Sequence, residues 1–167
     1  ERLGQSLEVQ SSRQFELLVV ALEAENCDDA VVESLRHCSI PVQVFSITDS
    51  AQLGSALFEA GMQARGAVLG VIPPISFLHP TALFVLQKQL RTTLRDAQVV
   101  LVNELVVDSL QLQPKFFWRK CVPDSFSLLF RNFWGEGYFV RKSCWESIGA
   151  SAFETLNAKR WQSGLAA

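Results

Sequence analysis

Residues 53–80, LGSALFEAGMQARGAVLGVIPPISFLHP, constrain the fold more than any other stretch. Leu53, Ala56, Leu57, Ala60, Gly61 and Ala64 recur at helical spacing and predict an amphipathic helix over 51–64. Gly66 stands just past it, where a left-handed glycine would stop the helix. Residues 67–72 form a short uncharged apolar run, the pattern of a strand covered on both faces. Pro73 and Pro74 end that strand, because proline has no N–H to give a ladder. His79–Pro80 then opens another helix, with proline in the first turn, where its missing N–H costs nothing. A helix, a buried strand, a loop and a helix in this order belong to an α/β sheet. Ligands of open α/β sheets sit off the carboxyl ends of the strands. The loop at 73–79 is therefore the first place to look for chemistry, and it holds no carboxylate.

The rest of the chain extends that unit. Residues 1–14 are rich in Gln and Ser and read as a polar, frayed lead-in with room for one short helix. Residues 15–22 (FELLVVAL) form the first strand, buried and central. Asp28 and Asp29 can cap a helix over 29–37 that turns Val31, Val32 and Leu35 inward. Residues 41–47 alternate as a strand does, with Val42, Val44 and Ile47 inward. Thr48-Asp49-Ser50 is a turn able to cap the helix that follows. Residues 80–95 place Leu83, Leu86, Leu90 and Leu94 on one face, and 97–102 (AQVVLV) are the next buried strand. The order β-α-β-α-β-α-β, joined by right-handed crossovers, predicts a three-layer α/β/α fold with a mostly parallel, doubly wound sheet. No glycine-rich phosphate loop follows any of these strands.

Composition changes after Glu104. Residues 104–135 gather Phe116, Phe117, Trp118, Phe126, Phe130, Phe133 and Trp134 beside Arg119, Lys120 and Arg131. Two readings stand: an aromatic platform for stacking a sugar or nucleotide, or a capping segment that buries its rings. Residues 138–140 predict a last strand, and 143–149 a short helix ended by glycine. The tail through Trp161 reads as helical.

Bulk properties narrow the function. A chain of 167 residues fits one domain with a core of useful size. Net charge is −2, so no general attraction to nucleic acid or anionic membrane is expected. Hydrophobic residues make up 49%, enough to cover both faces of a sheet and leave an apolar face for a protein partner or a second copy. No apolar run reaches the length of a membrane span, and no signal peptide is visible. The chain opens on Glu1 without methionine, as a processed or partial chain does. The expectation is a cytoplasmic domain, free, peripheral to a membrane or part of a larger protein. Cys27, Cys38, Cys121 and Cys144 lack C-x-x-C spacing, and His37 and His79 are far apart. Buried free thiols in a reducing compartment are expected, and no zinc site.

Two segments together resemble the family 2 glycosyltransferases, which have the GT-A (nucleotide-diphospho-sugar transferase) fold. Leu53-Gly54-Ser55-Ala56 through Ala60-Gly61-Met62-Gln63-Ala64-Arg65-Gly66 is similar to that family's N-x-G-x-x-x-A-x-N-x-G-x-x-x-A-x-G helix, with its asparagines lost and its spacing shifted. Phe139-Val140-Arg141-Lys142-Ser143-Cys144-Trp145-Glu146-Ser147-Ile148-Gly149 resembles the family's strand-to-helix signature of a basic pair, an aromatic, a glutamate and Ile-Gly. The resemblance implies one GT-A-like domain over 15–165. Residues 15–103 would be the nucleotide-binding half and 104–165 an aromatic-rich, acceptor-side half. It also implies a nucleotide-diphosphate sugar as substrate, with Glu25, Asn26 and Asp49 in nucleotide-contacting positions.

The departures from the family matter as much. Where the family has an acidic D-x-D motif to hold a divalent metal, this chain has Ile72, Pro73 and Pro74, none with a side-chain oxygen. No metal is therefore expected. The catalytic base has only Glu154 or, from the aromatic segment, Asp124 as candidates. Asn157-Ala158-Lys159-Arg160-Trp161 faintly echoes the Q-x-x-R-W motif of processive members. Three functions remain open. The first is a diverged, inactive glycosyltransferase-like domain with a binding role. The second is a working metal-independent enzyme in which Arg65, Arg141 or Lys142 neutralises the diphosphate. In a plainer reading, Arg141 and Lys142 are a solvated helix start. The third is a flavodoxin-like or receiver-like module. Glu23 and Glu25 follow the first strand as a receiver needs, but no matching lysine follows 97–102.

Overall fold

The computed structural model describes residues 2–22, 39–72, 76–108, 113–118 and 138–150. The elements are α1 (Arg2–Glu8), β1 (Leu17–Leu22), β2 (Val42–Ile47), α2 (Leu53–Gln63, entered through a 3-10 turn at Ser50–Gln52), β3 (Val68–Val71), α3 (Ala82–Arg91), β4 (Val99–Leu101), β5 (Glu104–Val107), β6 (Pro114–Trp118), β7 (Tyr138–Arg141) and α4 (Lys142–Ile148). The predicted helix at 29–37, the aromatic run beyond Trp118 and the tail through Trp161 lie outside the described residues.

β1 and β2 pair in parallel, Leu17 opposite Val42 through Leu22 opposite Ile47. β3, β7 and β4 form a second ladder with β7 in the middle, antiparallel to both neighbours. β7 thus enters between two strands that precede it, and both pairings are antiparallel, so β3 and β4 run the same way. β5 and β6 make an antiparallel hairpin with a bulge between Val106 and Val107. The sequence reading had no strands there.

The β3–β7–β4 ladder has buried side chains on both faces, Val140 on one and Phe139 on the other. Leu69, Val140 and Val99 stand in one cross-strand row. That row packs with Val71, Phe58 of α2 and Trp145 of α4. The opposite face carries Gly70, Phe139 and Val100 in register. A β-carbon on Gly70 would lie 2.3 Å from the Phe139 ring, so the ring occupies the space that glycine leaves. On the β1–β2 pair, Leu17, Val19 and Val42 pack with Leu3 and Leu7 of α1 and with Ile40 and Leu78. β1 is half-buried along most of its length rather than fully enclosed.

Residues 2–14 are no frayed lead-in. Leu7 and Gln10 are buried, and the segment is sewn to α3 and the loop before it. Gln10 Nε2 donates to the Ser6 and His79 carbonyls, and its Oε1 accepts the Leu83 N–H. Ser12 Oγ donates to Gln87 Oε1, while Gln87 Nε2 donates to the Gln14 carbonyl. Composition points to a frayed lead-in; instead its polar side chains bond to backbone groups and to Gln87 away from water.

α3 spans Ala82–Arg91, shorter than the predicted 80–95, with Pro80 in the turn before it. Gly66 does not stop α2. Ala64 already leaves helical geometry at φ −58° and ψ 138°, and among the described glycines only Gly149, after α4, has a positive φ.

Candidate functional site

The start of α2 is set by a reciprocal cap. Asp49 Oδ1 accepts the Ala51 N–H at 2.9 Å. Gln52 reaches back, and its Oε1 accepts the N–H groups of Thr48 and Asp49. Asp49 and Gln52 are spaced as in a capping box, and that spacing was the available signal for Gln52. Asp49, a nucleotide-contacting candidate by resemblance, thus serves the helix entry just past the carboxyl end of β2.

The far end of α2 is set by two long-range contacts. Lys142 Nζ donates to the Met62 carbonyl at 2.9 Å and to the Ala64 carbonyl. An ammonium at a helix carboxyl end also offsets the helix dipole. Glu16, immediately before β1, accepts the N–H groups of Arg65 at 2.6 Å and Gly66 at 3.0 Å, and the Arg65 Nε at 3.0 Å. This clasp fixes the amino end of β3 beside the amino end of β1. A shallow cavity of about 360 Å³ opens next to it, bordered by Leu17, Pro41, Val42 and Gln43.

Arg141 closes the turn after α3. Its Nε donates to the Ala97 carbonyl at 3.0 Å, its Nη2 to Arg95 at 2.6 Å, and its own N–H to Gln98 at 2.9 Å. Arg65, Arg141 and Lys142 therefore gather around the amino ends of β3 and β4. Asp49 precedes the first turn of α2 and Arg65 follows its last. The 11 residues of that helix hold the two roughly 16 Å apart. The structure thus divides the candidates between the two ends of the strands instead of bringing them together. Glu25, Asn26, Asp124 and Glu154 lie outside the described residues, as do Pro73 and Pro74.

Glu16 was missed by the sequence reading; its position just ahead of the apolar strand run was the only hint. Its side chain is 17% exposed against 74% for Arg65. Partial burial works against its charge, but the Arg65 guanidinium and the N–H groups of Arg65 and Gly66 outweigh that and hold the carboxyl below its usual 4.5. A carboxyl lowered in the fold contributes stability above its unfolded value and loses it as pH falls through the folded one. Glu16→Gln is therefore expected to lower the unfolding midpoint at neutral pH, with a gap from the parent that narrows as pH drops below 4.5. Denaturant unfolding across that range checks it. Solvent around Arg65 keeps the effect modest.

His79 lies in the loop after β3, the first place named for chemistry. Its Nδ1 meets Thr81 Oγ1 at 3.0 Å and accepts the Thr81 N–H at 3.3 Å, which leaves Nε2 as the outward nitrogen. Cys144 is a half-buried free thiol against the Trp145 cluster. Among the described residues, no three of His, Cys, Asp and Glu are gathered to hold a metal ion. No helix among them is long and apolar enough to cross a membrane.

No family model, characterised protein or solved structure matches the chain.

Proposed function

We propose that the chain is a glycosyltransferase-like domain of GT-A type that has kept the scaffold as a binding module and given up catalysis. The observation that supports this most is the meeting of the two motif segments in space. The Trp145 ring lies against Gly61, and a β-carbon there would fall 2.4 Å from its Nε1. Trp145 Nε1 donates to the Phe58 carbonyl, and Lys142 reaches the end of the same helix. The residues on which the resemblance was drawn thus pack as one unit, and that proximity supports the reading.

Two chemical features oppose catalysis. A metal-holding corner made of Ile72, Pro73 and Pro74 offers no side-chain oxygen. The cations that would replace a metal are engaged elsewhere. Arg141 and Lys142 donate to backbone carbonyls, and Arg65 to Glu16, at the amino side of the strands. A metal-independent transferase would need at least one of them near the carboxyl ends, where the diphosphate would lie. In this reading β1–β2 and β3–β7–β4 belong to one layered sheet, joined at their amino ends by Glu16 and Gly66. We place the domain in the cytoplasm, in keeping with the free thiol of Cys144.

Thermal unfolding with uridine and guanosine diphosphates, each with and without manganese, tests the reading. The expected result is no manganese-dependent stabilisation. A shift that needs the metal would restore the active-enzyme reading and overturn this one.

A further inference from the structure

The outer side of α3 exposes apolar side chains next to basic ones. Phe84 is 51% exposed and Val85 is 49% exposed, adjacent on a helix whose buried residue is Leu83. Lys88 and Arg91 follow Phe84 at spacings of four and seven, so the three share one stripe. Between them, with Gln87 and Thr92, lies a shallow groove of about 240 Å³. Its base is held in place, since Gln87 is bonded to Ser12 and Gln14, and Thr92 Oγ1 donates to the Lys88 carbonyl.

The charged side chains that line this groove are both cations, Lys88 and Arg91. Lys88 and Arg91 fall on α3 and Arg95 just after it, followed by Asp96, the first acidic residue since Glu59. Neither Lys88 nor Arg91 has an ion-pair partner among the described residues. Cations in a last helical turn offset the helix dipole, which accounts for their presence but not for two large apolar side chains beside them. The chain as a whole is acidic, at −2, so this face is a local reversal of sign.

We propose that this face of α3 docks an acidic amphipathic helix of a partner protein, with one apolar side chain seated in the groove beside Phe84 and carboxylates paired to Lys88 and Arg91. The concavity favours a peptide side chain over a lipid surface. Two cations contribute only about 1 kcal/mol each at an anionic leaflet, too little to hold a domain there with so small an apolar face. The inference does not depend on the glycosyltransferase-like reading, because α3 carries none of the nucleotide candidates.

The test uses the intact chain and a fluorescein-labelled helical peptide with a Leu/Phe stripe flanked by Glu. A control peptide has Lys in place of every Glu. Anisotropy is expected to show saturable binding of the Glu peptide that weakens as salt is raised, and none of the control. Phe84→Ser and the double change Lys88→Glu, Arg91→Glu are each expected to weaken binding by about tenfold or more. Circular dichroism verifies that these surface variants keep the fold. No saturable binding, binding unchanged by the charge reversal, or preference for phosphatidylserine vesicles over the peptide would each overturn the proposal.

Discussion

Trp145→Ala is expected to lower stability by about 3–5 kcal/mol, the range for deleting a large buried aromatic. Trp145 is 2% exposed and packs with Val140, Phe58, Leu69, Val71 and Val99, so α2, α4 and the β3–β7–β4 ladder all meet at its ring. Its removal opens a cavity at that junction and leaves the Phe58 carbonyl without the indole donor at 3.2 Å. Trp145→Phe keeps most of the ring and loses the N–H, so its cost should be clearly smaller. Gly61 supplies the internal check. A β-carbon at Gly61 would lie 2.5 Å from Trp145 Cε2, a separation real side chains do not tolerate. Gly61→Ala should therefore destabilise the parent and have little effect in the Trp145→Ala background. Denaturant midpoints for the parent, both single variants and the double variant measure that coupling. Additive effects would mean that the two motif segments do not share this contact.

Gln10→Ala is expected to cost about 2–3 kcal/mol, although it removes a polar side chain from a stretch that reads as solvent-facing. Gln10 is 3% exposed, and its amide serves three backbone groups, those of Ser6, His79 and Leu83. The carbonyl of His79 keeps a second donor in the Ala82 N–H, but the Leu83 N–H has only Gln10 among the contacts described. A buried donor left without an acceptor carries most of the penalty. Hydrogen exchange should show the Leu83 amide opening more in this variant than the amides of β7. Equal loosening of both would mean that α1 and α3 are not joined locally through this residue.

The two variants mark what could and could not be read from residues alone. The apolar runs gave their strands within a residue or two: 15–22 became Leu17–Leu22, and 41–47 became Val42–Ile47. The helix around Gly61 matched Leu53–Gln63 for the same reason, since periodicity is a local property. Direction is not local. Nothing in Tyr138–Arg141 says that it will run against Val68–Val71 and Val99–Leu101, because that depends on partners far along the chain. The end of α2 was expected at 64, close to the observed Gln63, but its stop was ascribed to Gly66, because Lys142 and Glu16, which hold that end, are distant in sequence. Gln10 was misread because composition cannot distinguish a glutamine facing water from one facing backbone. The basic candidates suffered similarly. Arg141 and Lys142 look like anion binders in a motif, and only coordinates reveal that carbonyls have claimed them.

The middle position of β7 has a consequence for biosynthesis. Among the described residues β3 and β4 have no direct bond between them and are bridged by β7, whose Tyr138 comes 37 residues after Leu101 and 67 after Val71. Until the ribosome releases that strand, each would present an unpaired edge to the crowded cell. Nascent chains stalled in this window are the ones that would call on chaperones, and the commitment of β7 would be the step that covers the edges β3 and β4 turn toward each other.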